Sequence, residues 1–419
     1  MIHPAPTGLG WMPLRTRKVP IPFVRNDIEA VRRRLATWFP TLRKWGRQPR
    51  FDCAAETHEP SQLEVLLMFA AMLAVHLAAV CRAGSFWEVV VSRTDDMDYV
   101  EVADIIRHWH FAGGPASQYF WGFPYAIAAV SALLAIPPLL ASVLISVVAS
   151  LALCLLLHRL YGGWATTVFL LSNFVWIQLA MEGSSEPLFM CLLYASFLVS
   201  RSARWSVASL LASLATTVRP VGIFALLSFA IVLGMRRMCR QLAGATTVGV
   251  AIGALYLIPL WIFFKTPFAN FVGYRGDWGP AGWPITYPFG ALISSFLAAI
   301  HNHNASWYTL VLFIVWPLLA LVGMFRTWFP GKRDTLAALH LPEALFATFY
   351  TSFFFLYSNF EICWLFSRFL IPVLPLLVYA CRGWIPRDRR VLWGTAMLSA
   401  LLSSAGLVHF RNVFGFSLR

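Results

Sequence analysis

The chain has 419 residues, of which 59% are hydrophobic and 12% charged, and its formal net charge is +14. Soluble domains carry about 25% charged residues, so the composition excludes a soluble globular protein and describes an integral membrane protein. The positive balance does not point to nucleic acid. The basic residues sit in short clusters between apolar runs, as the positive-inside rule expects of cytoplasmic loops.

Residues 1–62 read as a basic cytoplasmic leader with a surface helix around Asp27 to Trp38. Its charges either touch anionic headgroups or merely set orientation. A membrane span needs roughly 20 apolar residues, and residues 63–419 offer about eleven such segments, several of them short. The expected fold is therefore all-α and polytopic. The first span covers 63–81, inside to outside, and 82–137 form a long external loop. Within 96–110, Tyr99, Val102, Ala103, Ile106 and Trp109 recur at helical spacing with Asp98, Glu101, Asp104 and Arg107 between them. That pattern predicts an amphipathic helix lying in the interface. Residues 119–135 fit a second interfacial helix or a span; Pro137-Pro138 favours the interfacial helix.

Further spans are expected near 138–158, 164–181, 186–200, 205–218, 220–235 and 242–264. A second external loop, 265–306, is rich in Gly, Pro and aromatic residues, the latter read as interfacial anchors. Spans near 307–325, 343–360, 367–381 and 391–409 follow. This alternation places every basic cluster on the cytoplasmic side: Arg15 to Arg50, His158-Arg159, Arg201/Arg204, Arg236-Arg237/Arg240, Lys332-Arg333 and Arg382 to Arg390. The seven cysteines are scattered and odd in number. They read as small apolar residues rather than as a disulfide framework or a metal site.

The candidate chemistry concentrates just beyond the first span. Asp95, Asp96, Asp98, Glu101 and Asp104 form the densest acidic cluster in the chain. Asp95 and Asp96 can serve as a general base and an acceptor-positioning carboxylate, or as helix N-caps. Glu182 and Glu186 flank a Gly-Ser-Ser turn. They suit a site or a solvated turn whose Pro187 opens the next helix. Arg219 and Arg368 are each embedded in apolar sequence. A buried arginine needs an anionic partner, either a phosphate or an internal carboxylate such as Glu182. His108 and His110 lack a third ligand at useful spacing and read as interfacial residues, so no metal site is assigned.

Taken in order, these landmarks resemble the GT-C glycosyltransferases, multi-span enzymes that use polyprenyl-phosphate sugars. The acidic pair with an aromatic residue four positions after its first acid is Asp95-Asp96-Met97-Asp98-Tyr99. An aromatic, Pro-containing stretch follows at Tyr119-Phe-Trp-Gly-Phe-Pro-Tyr125, then Ser185-Glu-Pro-Leu-Phe189, Arg204-Trp205, Thr217-Val-Arg-Pro-Val-Gly222 and Ser367-Arg-Phe-Leu-Ile-Pro-Val-Leu-Pro375. The ordered set covers about residues 63–381 and looks most similar to bacterial relatives of the second mannosyltransferase of GPI-anchor synthesis. The lipopolysaccharide and protein O-mannosyl type is close behind.

The resemblance implies an inverting transfer of a hexose such as mannose from a polyprenyl-phosphate donor (dolichyl phosphate is one). The acceptor would be a lipid, glycan or protein on the external face of a bacterial inner membrane. It implies Asp95 as base, Asp96 as its partner or alternative, and Arg219 and Arg368 on the donor phosphate. Tyr99, Glu182 and Glu186 would line the substrate site. The donor is a substrate, not a resident cofactor; a divalent ion on the Asp pair is compatible, although no third ligand stands nearby in sequence. The rival class is a secondary transporter or lipid flippase. Transporters usually carry internal repeats and helices broken at midplane, and no repeat is visible here. A non-enzymatic anchor protein would leave the acidic cluster unexplained.

Overall fold

A computed structural model describes residues 59–83, 94–108, 119–172, 174–273, 285, 287–301, 307–329, 339–357, 368–384, 388, 390–398 and 401. These residues are mostly helical; among them the β pairing is one isolated bridge between Ile285 and Tyr357. The leader expected over 1–62 lies outside the described residues except for its last four.

Helix α1 (Gln62–Ala83) opens on a reciprocal cap. The Glu64 N–H donates to Ser61 Oγ at 3.2 Å and the Ser61 N–H donates to Glu64 Oε2 at 3.4 Å. Two N–H groups that lack helical partners are satisfied at once. Helix α2 (Thr94–His108) buries Tyr99, Val100, Val102 and Ala103 and exposes Glu101 and Arg107. This is the amphipathic pattern expected from its spacing. Helix α3 (Gly122–Leu134) packs against α2 and ends on Ala135 in the left-handed conformation, two residues before Pro137.

Helix α4 (Pro138–Ser172) differs from the sequence expectation of separate spans over 138–158 and 164–181. Two helices meet at a single residue, Gly162, with φ 85° and ψ 171°. Glycine adopts that geometry without a Cβ penalty, so the direction changes with no loop. The Glu59 carboxylate accepts the Gly163 N–H at 2.8 Å, which supplies a partner the kink would otherwise remove. Helix α5 (Phe174–Met181) follows.

The centre is built from α6 (Ser185–Arg201), α7 (Trp205–Val218), a 3-10 turn at Pro220–Gly222, α8 (Ile223–Met235) and α9 (Cys239–Phe264). Helix α6 packs between α4 and α7, and α7 packs against α9. Beyond them come α10 (Ala269–Gly273), α11 (Gly290–His301), α12 (Trp307–Trp328), α13 (Leu341–Leu356), a helical turn at 368–370 and α14 (Leu374–Ala380). Helix α13 covers α8, and α14 covers α12.

Among the described residues, three helical stretches are long and apolar enough to cross a membrane: Gln62–Arg82, Pro138–Leu170 and Cys239–Phe264. Shorter apolar helices accompany them at Gly122–Leu134, Trp205–Val218, Pro220–Met235 and Leu341–Leu356. Helix α9 leaves Val250, Leu255, Ile258, Trp261 and Ile262 exposed. A face of that kind is foreign to a soluble surface and suits hydrocarbon. The five described cysteines, Cys81, Cys154, Cys191, Cys239 and Cys381, are free thiols.

Candidate active site

The site begins at the turn between α5 and α6. Gly183 takes φ 84° there, and a Cβ on it would stand 2.5 Å from Ser142 Oγ of α4, so the turn lies tight on that helix. Ser146 of α4 donates to the Ser184 carbonyl at 2.8 Å. The turn delivers Ser185 and Glu186 into the first helical turn of α6, both fully buried. Pro187 can stand there because its missing N–H falls where a helix has no internal acceptor.

Arg219 sits at the end of α7 with φ −143° and ψ 129°. An extended backbone is what the following Pro220 imposes on the residue before it. The break turns the guanidinium toward α6, where Nη2 lies 2.5 Å from Glu186 Oε1 and Nε donates to Ser185 Oγ at 3.1 Å. Arg368 reaches the same Glu186 Oε1 from the turn at 368–370, through its Nε. Tyrosines hold the backbone around Arg368: Tyr350 of α13 donates to the Phe369 carbonyl at 2.5 Å, and Tyr194 of α6 to the Pro372 carbonyl at 2.9 Å. The Ser184 hydroxyl donates to Glu186 Oε2. Two guanidinium groups thus converge on one buried carboxylate, and the three together carry a formal charge of +1.

Tyr99 joins the acidic helix to this cluster, because Ser185 Oγ donates to its hydroxyl at 3.3 Å. Its ring stands edge-on to Tyr119 and Phe123, with centroids 5.1 and 5.4 Å away. One turn earlier on α2, the helical register puts Asp95 on the face of Tyr99, since positions i and i+4 share a face. Asp96 lies on the same first turn, rotated away from that face. The side chains of both lie outside the described residues. Asp98 accepts a hydrogen bond from the Tyr119 hydroxyl at 2.5 Å. The Tyr119 carbonyl accepts from Asn270 Nδ2 at 2.6 Å, and Asn270 Oδ1 accepts from Tyr256 at 2.8 Å. The Tyr256 oxygen in turn accepts the Trp121 N–H at 3.3 Å. This chain of bonds ties α2, the start of α3, α9 and α10 together.

A cavity of about 690 Å³ lies against the arginine cluster. Tyr99, Tyr119, Arg219, Arg368, Tyr350 and Tyr357 line its polar side; α7, α8, α9 and α13 supply an apolar wall.

Of the residues singled out by sequence, the structure gathers Tyr99, Glu186, Arg219 and Arg368. Glu182 is buried at the neighbouring turn, but the carboxylate that joins the two arginines is Glu186. Ser185, Tyr350, Tyr256 and Asn270 were not assigned as site residues. Their signal is a polar side chain inside an apolar run, which is common enough in membrane helices to pass unnoticed. Compared with known proteins, the chain matches no family model and no curated protein sequence.

Proposed function

We propose that the protein is a polytopic membrane glycosyltransferase of the GT-C type. It would move a hexose such as mannose from a polyprenyl-phosphate donor to an acceptor at the external face of a bacterial inner membrane. The observation that carries the reading is the convergence on buried Glu186 of Arg219 and Arg368, which line a cavity together with Tyr99 of the acidic helix. In this reading the shorter helices join the three long ones to make about eleven spans, and both arginines stand at one membrane depth.

The acceptor hydroxyl attacks the anomeric carbon. The bond from that carbon to the phosphate oxygen breaks, and polyprenyl phosphate departs with the bonding electrons. The acceptor's proton passes to Asp95, which shares a helix face with Tyr99. General-base help of this kind contributes about a hundred- to ten-thousand-fold. Arg219 and Arg368 meet the charge that grows on the leaving phosphate, and guanidinium forks match phosphate geometry. Glu186 holds the two forks near each other, which their repulsion opposes.

The test incubates the purified protein with labelled polyprenyl-phosphate sugars and follows donor consumption. Asp95→Asn keeps size and capping ability and removes basicity. It should fold, bind donor and transfer about two to four orders of magnitude more slowly. Full activity in Asp95→Asn, Asp96→Asn and the double variant would remove the acidic pair from the mechanism.

A further inference from the structure

Three arginines gather where α7 and α9 begin. Ser206 Oγ of α7 would lie 3.2 Å from a Cβ at Gly244 of α9, Ser209 donates to the Ala245 carbonyl at 2.7 Å, and Ser213 Oγ would lie 3.7 Å from a Cβ at Gly249. The residue numbers rise together, so the two helices run parallel and start side by side. Arg204 stands immediately before α7, Arg240 in the first turn of α9, and Arg237 in the turn between α8 and α9. All three are exposed, and among the described residues none has a side-chain hydrogen bond or ion pair. Arg201, at the end of α6, is by contrast bound to Glu343. Residues 187–276 contain no Asp or Glu, so α7, α8 and α9 bring no carboxylate of their own to the three charges.

The backbone at Arg237 does not ask for an arginine. The Met238 N–H donates to the Leu233 carbonyl at 2.9 Å and the Arg237 N–H to the Gly234 carbonyl at 3.0 Å, which closes α8 with Arg237 in the left-handed region at φ 55°. Glycine is the usual residue at that position, so the turn itself does not account for the charge. Large apolar side chains lie exposed beside the arginines: Val207 and Leu210 of α7 and Met235 of α8. A charged rim that passes directly into exposed apolar surface fits the boundary between headgroups and acyl chains. An acidic protein would match the charge and leave the apolar flank in water; an anionic lipid covers both. We propose that Arg204, Arg237 and Arg240 form a docking surface for anionic phospholipid headgroups, with the acyl chains lying along Val207, Leu210 and Met235. The surface is at the opposite end of α7 from Arg219, about 22 Å away by helical rise. It is therefore separate from the cavity and does not rest on glycosyl transfer.

The experiment uses the full chain in detergent micelles and four probes: phosphatidylglycerol, phosphatidylcholine with the same acyl chains, glycerol phosphate and a polyglutamate peptide. Dissociation constants are measured for the wild type, for Arg237→Gly and for the triple variant Arg204→Gln/Arg237→Gly/Arg240→Gln, with thermal unfolding to check that each is folded. The wild type should bind phosphatidylglycerol more tightly than phosphatidylcholine. The triple variant should lose about three- to a hundredfold of that preference, as three exposed ion pairs allow. Arg237→Gly alone should weaken the preference without lowering the unfolding temperature, because glycine suits the left-handed position better than arginine does. A wild type that does not prefer phosphatidylglycerol overturns the inference, and so does a preference undiminished in the triple variant. Glycerol phosphate or polyglutamate bound as tightly as phosphatidylglycerol, and lost in the triple variant, also overturns it, because the surface would then serve a soluble anion or an acidic protein.

Discussion

Helix α6 carries a buried ion cluster at each end, and the two are built differently. At its C-terminal end Arg201 meets Glu343 one to one. Nε donates to Oε1 at 2.9 Å and Nη2 to Oε2 at 3.0 Å. The remaining Nη1 donates to the Leu160 carbonyl at 3.0 Å, and the guanidinium lies 5.4 Å from the Tyr161 ring centroid. Glu343 also accepts the His340 N–H at 3.2 Å, which caps α13. At the N-terminal end, about 22 Å away by helical rise, Glu186 faces two arginines, and a cavity borders them. A charge-matched pair with its donors engaged is a fastener. A trio with two cations on one carboxylate, lining a cavity, is the arrangement to which the proposed function brings the donor phosphate.

The largest effects should come from removing either carboxylate. Glu186→Gln and Glu343→Gln each leave buried guanidinium groups without their ion partner, at a cost of about 3–5 kcal/mol. Thermal unfolding in micelles measures both. The comparison predicts that they part when a polyprenyl phosphate is added. A ligand at a hundredfold over its Kd returns about 2.7 kcal/mol. The Glu186 variant should recover by an amount of that order and the Glu343 variant should not. Equal recovery, or none in either, would end the distinction between fastener and anion site.

Removing single arginines should separate the ends by a smaller margin. Arg201→Ala strands Glu343, whose side chain is 1% exposed, and should again cost about 3–5 kcal/mol. Arg219→Ala leaves Glu186 paired with Arg368 and should cost only about 1–3 kcal/mol, the value of hydrogen bonds to charged groups. Its larger consequence should be on donor binding. Arg219→Lys and Arg368→Lys should retain more affinity than the alanine variants, because lysine keeps the charge and loses the fork. Undiminished donor affinity in both alanine variants would take phosphate out of the account.

How far the sequence anticipates this contrast depends on the range of the interaction. Local signals served well: α7 falls on the span expected at 205–218, and α2 buries Tyr99, Val102 and Ala103 as its spacing requires. The extended backbone at Arg219 is likewise encoded next door, by Pro220. Glu186, by contrast, reads equally as a solvated turn, because its partners lie 33 and 182 positions away at Arg219 and Arg368, and no local pattern names them. Arg201 reads as a topology marker among basic residues, yet its side chain is only 21% exposed and bonded to Glu343. Charge counting locates a basic cluster; it does not tell which member turns inward. The apolar pattern separates spans near 138–158 and 164–181, but it does not tell that two helices meet directly at Gly162.

The smallest predicted effect lies in the cavity wall at Tyr256, which is held by neutral hydrogen bonds. Tyr256 donates to Asn270 and accepts from the Trp121 N–H. Tyr256→Phe keeps the ring, which stacks 6.5 Å from Phe120 between centroids, and removes only the oxygen. Each bond lost is neutral, and such bonds contribute about 0.5–1.5 kcal/mol. The variant should therefore unfold with a loss of about 1–2 kcal/mol, well below that of Arg201→Ala. The Trp121 N–H and Asn270 Oδ1 would each lose a partner where α9 and α10 meet the start of α3. Amide hydrogen exchange should consequently rise at Trp121 and Asn270 while the Arg201–Glu343 end stays protected. If exchange rises equally at both ends, the two regions unfold as one unit, and the contrast between a fastened end and an adjustable one fails.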